Sequence, residues 1–173
     1  MAILALGVIV VAAIAIQHRS LSAISNGLVG HTSHSVHLSA AGSYDPFGND
    51  KTEHPEAVVD AVDGNPATYW KTSSYHYGGG SFDKPGVGFV VETSKPEALR
   101  TLRVTTDTPG FVAVIKTSDS PTGGFTPVSG SETVDSATTF KLNGGAHRYY
   151  LIWLTKLPPG NDSAHVNEVK AAS

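Results

Sequence analysis

The residues with the clearest chemical potential lie in one turn. Asp63, Asn65 and Thr68 place three oxygen-bearing side chains close together, and Gly64 permits a left-handed backbone between them. Hard oxygen ligands in a tight turn suit Ca²⁺. The same residues also fit an Asx-rich turn, in which the side chains bond only to their own backbone. The residues alone leave both interpretations open.

Aromatic side chains cluster directly after this turn, where Tyr69, Trp70, Tyr75, His76 and Tyr77 follow one another closely. Ring-rich loops can stack on sugar faces or on bases. Trp70 falls on a predicted strand, so we expect it in the core. Tyr75, His76 and Tyr77 adjoin three glycines, and we expect them in an exposed recognition loop. The alternative is that these rings only pack locally.

The sequence lacks patterns that are typical of catalysis. It contains no G-x-S-x-G nucleophile elbow, no H-E-x-x-H pair and no Cys. Paired carboxylates occur, such as Asp45 with Asp50 and Glu53 with Glu56, but solvated surface acids are the default interpretation. We therefore predict that the chain is not an enzyme.

Composition narrows the function classes further. Twelve Lys and Arg against fifteen Asp and Glu give a net charge of −3, which argues against general nucleic-acid binding. The absence of Cys excludes a disulfide scaffold and Cys-ligated zinc.

The first part of the chain predicts a membrane anchor. Residues 1–16 contain only Met, Ala, Ile, Leu, Gly and Val, and a helix of that length spans about 24 Å. Extending it to Arg19 approaches the lower limit for a bilayer core of about 30 Å. We predict a transmembrane or signal-anchor helix over 1–19. The rival is a cleaved secretory signal, although no basic residues precede the apolar run.

Residues 20–43 are rich in Ser, Gly, His and Ala and show no sustained period, which favours a flexible tether. From Tyr44 onward, short apolar runs alternate with turn residues. Their spacing predicts an all-β domain over 44–173, an antiparallel β-sandwich of the jelly-roll kind. The run Tyr149–Leu154 is the most apolar and predicts a central strand. A chain that begins near Tyr44 should then fold without the residues before it.

One helical signal interrupts this pattern at residues 55–61. Pro55 suits the first turn, and Val58, Val59 and Val62 are expected to pack inward.

Three stretches of this domain carry a resemblance to a known family: residues 44–50, residues 53–55, and residues 61–72 with their D-G-N-x-x-T-x-W motif. Together they resemble the opening of a discoidin-type domain, the galactose-binding-like sandwich also called coagulation factor 5/8 type C. The resemblance covers about residues 44–172.

The resemblance implies a structural Ca²⁺ that Glu168 in the last strand helps to bind. Asp63 and Glu168 would supply carboxylates, and Asn65 and Thr68 further oxygens. The backbone carbonyls of Asp60 and Asn167 would be the remaining ligands.

A narrower resemblance rests on residues 84–88, 119–121 and 157–159. These look like the discoidin-like extracytoplasmic tail of bacterial membrane proteins related to lipid II flippases or receptor kinase-like proteins.

The expected function is that of a non-catalytic binding module, tethered to a membrane with its C-terminal domain outside the cytoplasm. Its expected partner is a cell-wall or other glycan. The alternative is a protein–protein interaction or scaffolding domain on the same fold that binds no sugar.

Overall fold

A computed structural model of the chain describes residues 33–76 and 80–173. The predicted anchor over 1–19, and the tether up to residue 32, lie outside the described residues. The chain divides into two compact units, Met1–Ser33 and His34–Ser173, and the elements below all belong to the second. In the described ranges, no helix is long and apolar enough to cross a bilayer.

The described residues form twelve strands and one 3₁₀ helix, and every strand pairing among them is antiparallel. This confirms the all-β, antiparallel expectation. In chain order the elements are β1 Ser35–Val36, β2 Ser39–Tyr44, the 3₁₀ helix Pro55–Ala61, β3 Trp70–Lys71, β4 Val87–Glu97, β5 Thr101–Thr105, β6 Val112–Ser118, β7 Thr126–Pro127, β8 Glu132–Thr133, β9 Ala137–Lys141, β10 His147–Lys156, β11 His165–Val166 and β12 Glu168–Ala172.

Two larger sheets face each other. One has four strands in the order β1-β12-β5-β9, and the other runs β2-β4-β10-β6-β7, with β8 also pairing with β6. The strands β3 and β11 form a small third sheet. The predicted central strand is confirmed, because β10 lies between β4 and β6.

The core lies between the two larger sheets and follows the period of two that a strand imposes. Phe89, Ile115 and Ile152 enter it from the larger sheet, and Leu102 and Phe140 enter it from the four-stranded sheet. Trp70 is also fully buried in this cluster, as its position on a strand predicts.

The outer face of the larger sheet carries a second apolar cluster. Val90, Leu151 and Trp153 are buried there, and Tyr44 and Phe125 pack against them. Tyr44 meets both Phe125 and Trp153 edge to face.

The sheets begin earlier in the chain than the sequence predicts. Residues 35–44, assigned to the tether up to residue 43, supply β1 and β2. Strand β2 pairs with β4, and β1 pairs with β12. The residues of β2 are small, Ser-Ala-Ala-Gly-Ser-Tyr, so they give no hydrophobic period although they complete an apolar sheet. The tether interpretation is therefore wrong for residues 35–43.

The helical segment is a 3₁₀ helix with Pro55 at its start. A 3₁₀ helix has three residues per turn, so side chains at i and i+3 share a face. Val58 and Ala61 are accordingly buried, whereas Val59 points to solvent and is 53% exposed. The expectation that Val59 packs inward is wrong because it assumed the wider turn of an α-helix.

Candidate functional site

The structure shows the Asp63 turn bonded to itself. The backbone N–H of Asn65 donates to Asp63 Oδ1 at 2.7 Å, and the N–H of Ala67 donates to Asn65 Oδ1 at 3.1 Å. The Thr68 hydroxyl oxygen lies 2.8 Å from both Asp63 Oδ2 and the Asn65 carbonyl oxygen. Gly64 has a φ of 81°, the left-handed conformation that a glycine permits. The Asx-turn interpretation therefore describes the local bonds of this turn.

Glu168 adds what an Asx turn does not explain. Its residue is only 6% exposed, and its Oε2 atom is buried without a hydrogen-bond partner. Burial raises the pKa of Glu168, and the charge of Asp63 raises it further, which places the two carboxylates near each other. A buried carboxylate oxygen without a partner destabilises the fold, and a bound cation would remove that penalty.

Asn167 fixes the neighbourhood of Glu168 by bonding to two other segments. Its side-chain amide donates to the Pro66 carbonyl oxygen at 3.0 Å, and its Oδ1 accepts from the Asp107 N–H at 2.9 Å. The turn after Asp63 and the last strand are thus held together, although Asp63 and Glu168 are 105 positions apart in sequence.

These residues fit a Ca²⁺ site made of two carboxylates and several neutral oxygens. In the part of the chain that the structure describes, no three His, Cys, Asp or Glu side chains are gathered as a metal site. The predicted set requires only Asp63 and Glu168 from those residue types. The carbonyl roles of Asp60 and Asn167 stay predictions.

The ring-rich loop differs from the expectation at Tyr75. This residue is buried, its hydroxyl donates to Glu53 Oε1 at 3.0 Å, and its ring meets Phe82 edge to face. His76 is exposed, and its Nδ1 lies 3.0 Å from Asp162 Oδ2. Tyr77 lies outside the described residues. The expectation of an exposed Tyr75 is wrong, because a buried carboxylate within the domain binds its hydroxyl.

A cleft of about 490 Å³ opens beside Tyr75. Its wall is mostly polar, and its one large exposed apolar side chain is Phe47, at 56% exposure. The lining comes from the loop after β2 and the loop after β3: Asp45, Phe47, Gly48, Asn49, Asp50, Thr52, Glu53, Ser73, Tyr75, Asp83 and Lys84.

Two buried carboxylates shape this cleft. Asp45 Oδ2 accepts from Lys84 Nζ at 2.5 Å, and Asp45 Oδ1 accepts from the Gly48 N–H at 2.9 Å. Glu53 Oε1 accepts from the Ser73 N–H as well as from Tyr75. The expectation that Asp45 and Glu53 are solvated surface acids is wrong, because each is buried and has its own donors.

No protein-family model matches the chain, and no curated protein matches it. Solved structures do. CBM32-3 from a family 31 glycoside hydrolase of Clostridium perfringens is 14% identical with a TM-score of 0.55, and the match covers 78% of this chain and 90% of that one. The family 32 CBM of C. perfringens NanJ, in complex with galactose, is 15% identical with a TM-score of 0.52 over 82% and 99%.

A third match is the CBM32 of AlyQ in complex with 4,5-unsaturated mannuronic acid. It is 16% identical with a TM-score of 0.53, over 82% of this chain and 98% of that one. The chain has the β-sandwich fold of these modules. This agrees with the discoidin-type, galactose-binding-like fold that the motifs around Asp63 imply.

Sequence reasoning missed the cleft, although part of its signal was present. Asp45, Glu53 and Lys84 are spread over 40 positions, and no local pattern joins them. The stretch Tyr44–Asp50 entered the analysis only as part of a family resemblance. Its Phe47 between two turn-forming residues, Pro46 and Gly48, was the available hint of a ring held out in a loop.

Proposed function

We propose that the domain is a non-catalytic module that binds a glycan in the cleft beside Phe47. The observation that carries this proposal is a polar cleft with one exposed ring, on a fold shared with carbohydrate-binding modules. Two of those modules are in complex with sugars, galactose in one and an unsaturated mannuronic acid in the other.

The chemistry of the cleft suits a sugar. Its carboxylates, the Lys84 ammonium and the Thr52 and Ser73 hydroxyls offer acceptors and donors for a ring of hydroxyl groups. Phe47 offers an apolar face of the kind that packs against the C–H side of a sugar. The volume lies within the range of about 300–1,000 Å³ that small-ligand sites occupy.

Phe47→Ala tests this proposal against a matched control. Phe47 and Val59 are the two large apolar side chains exposed among the described residues, and only Phe47 lines the cleft. A panel of neutral, amino and acidic oligosaccharides, together with purified cell-wall fragments, would identify a ligand. Phe47→Ala should then weaken binding at least tenfold by calorimetric titration, whereas Val59→Ala should not.

If both variants bind as the parent does, the cleft is not the site. If no glycan of the panel binds, the alternative of a protein-interaction domain replaces this proposal.

We also propose that residues 1–19 hold the module at a membrane, with the sandwich outside the cytoplasm. The support is the apolar composition of residues 1–16 and the narrower resemblance to extracytoplasmic tails. The full chain expressed in bacteria should stay with the membrane fraction after alkaline carbonate washing. External protease should degrade the sandwich in spheroplasts if it lies outside, and protection of the sandwich would reverse the orientation.

A structural Ca²⁺ between Asp63 and Glu168 completes the proposal. It would fix the turn before β3 to the start of β12 through oxygens of both segments. Its role would be stability, because neither carboxylate lines the cleft.

A further inference from the structure

The outward side of the four-stranded sheet carries a cluster of positive charge. Leu102 and Phe140 point into the core from β5 and β9. By the alternation of a strand, their neighbours in each strand face outward. We call the outward set the basic face. It consists of Arg103, Lys141 and Lys170 with the hydroxyl residues Thr101, Thr105 and Thr139.

The strand register brings the three cations close together. Lys170 lies directly opposite Arg103, and Arg103 lies opposite Thr139. Lys141 lies opposite Thr101, so it is diagonal to Arg103. Directly opposite residues have Cβ atoms about 5 Å apart and diagonal ones about 7–8 Å. All three cationic residues are exposed.

No acid neutralises this cluster. Among residues 33–76 and 80–173, the ion pairs of Lys and Arg are Lys84 with Asp45 and Arg148 with Glu92. None involves a cation of the basic face. Glu168, on the same side of β12, is buried beside the Asp63 turn and presents no free carboxylate to solvent.

This arrangement opposes the stability of the sheet. Like charges directly opposite each other on neighbouring strands are destabilising. The chain as a whole is acidic, with a net charge of −3, so the cluster does not follow from composition. Clustered cations beside three hydroxyl groups, on a flat sheet, form a surface complementary to negative charge.

We infer that the basic face binds a linear polyanion, a polymer that carries an oxyanion in every repeat. The Arg103 guanidinium offers a planar fork for one oxyanion. The lysines offer point charges for the neighbouring ones, and the threonine hydroxyls offer donors between them. A chain with repeating charge engages all three cations at once, whereas a single small anion engages one or two. This surface shares no residue with the cleft, so it does not depend on the proposed glycan site.

Charge neutralisation by three cations predicts a defined salt dependence. Affinity should fall linearly with salt on a logarithmic scale, with a slope of about −2 to −3 for three contacts. Between 50 and 200 mM salt the loss should then be about 20- to 40-fold.

The test uses the full chain and long-chain inorganic polyphosphate as the probe. The triple variant Arg103→Gln, Lys141→Gln, Lys170→Gln should lose binding by at least tenfold and flatten the salt slope. The control triple Lys71→Gln, Lys95→Gln, Lys156→Gln makes the same change in net charge at exposed positions on other strands. It should bind as the parent does.

Stability and ligand form separate the outcomes. Arg103→Gln should keep or raise the melting temperature, because it removes a like-charge pair, so lost binding would not reflect unfolding. Equal losses in the two triples, or no binding of polyphosphate, would overturn the inference. So would binding of orthophosphate, or of vesicles containing phosphatidylglycerol, as tight as that of polyphosphate at equal phosphate concentration.

Discussion

Glu168 is the residue whose environment depends most on a cation. In Ca²⁺ its charge would be matched, whereas in EDTA it is a buried carboxylate with an oxygen that has no donor. Glu168→Gln should therefore change sign with conditions. It should leave the melting temperature unchanged or higher in EDTA, and lower it relative to the parent in Ca²⁺.

The parent itself should gain about 2.7 kcal/mol of unfolding free energy at a Ca²⁺ concentration a hundred times the dissociation constant. Asp162→Asn is the control, since Asp162 is an exposed acid that bonds to His76 away from the turn. Identical melting curves of the parent in Ca²⁺ and in EDTA would remove the site and leave an Asx turn.

Two tyrosines set the alkaline limit of the domain. Burial raises the pKa of Tyr75, and the charge of Glu53 raises it further. Burial also raises the pKa of Tyr150. Above the ordinary value of 10.0, the folded state holds protons that the unfolded state releases, so stability falls as pH rises. The slope approaches about 1.4 kcal/mol per pH unit for each group.

The measurement is ultraviolet absorbance of phenolate during an alkaline titration, followed together with circular dichroism. The signals of Tyr75 and Tyr150 should appear only as the β signal is lost. Tyr75→Phe should remove one late-ionising group. Full ionisation of all six tyrosines in the folded state would contradict the burial of both phenols.

At the scale of elements, the contact between β4 and β10 holds the larger sheet together. Gly88 lies opposite Trp153, and a Cβ at Gly88 would lie 2.0 Å from the Ile152 carbonyl oxygen. Because that oxygen belongs to backbone, Gly88→Ala must displace one strand. We expect a loss of about 1–3 kcal/mol, or more, in urea unfolding.

Gly123→Ala is the matched control for this substitution. A Cβ at Gly123 meets nothing within 4 Å, and this glycine lies in a loop. It should be neutral or slightly stabilising, since the unfolded chain loses freedom. Equal effects of the two substitutions would show that β4 and β10 are not packed as closely as the structure has them.

The same elements show what the sequence can predict. Alternating runs such as Val87–Val91 and Tyr149–Leu154 predict their strands, because burial between two sheets imposes a period of two. Strand β2 has small residues and no such period, so its place was invisible. The burial of Asp45 and Glu53 was equally hidden, since the donors Lys84 and Ser73 come from a distant loop.

The site divides along the same line. Asp63, Asn65 and Thr68 form one turn and are recognisable as a unit from their spacing. Their relation to Glu168 came from a family resemblance, because 105 positions separate Asp63 from Glu168 and local pattern does not reach that far. The exposure of Tyr75 was misjudged for a similar reason, as Glu53 binds it from 22 positions away.

At the scale of the whole molecule, the first two strands decide where the domain begins. A chain that starts at Tyr44 lacks β1 and nearly all of β2, and leaves edges of β12 and β4 unpaired. It should aggregate or unfold, whereas a chain that starts at Ser33 should melt cooperatively. Circular dichroism and size-exclusion chromatography of the two chains give the comparison. A monomeric, cooperatively folded Tyr44 chain would show that β1 and β2 are dispensable.

The pairing of β1 with β12 also determines how the domain responds to a pull. The backbone N–H of His34 donates to the Ser173 carbonyl oxygen, and the N–H of Ser173 donates to His34. The strands are antiparallel, so a force on these two ends acts across the hydrogen bonds and opens them one at a time, like a zipper. In an optical trap the first opening should therefore occur at low force. The rest of the sandwich should resist until β12 separates from β5.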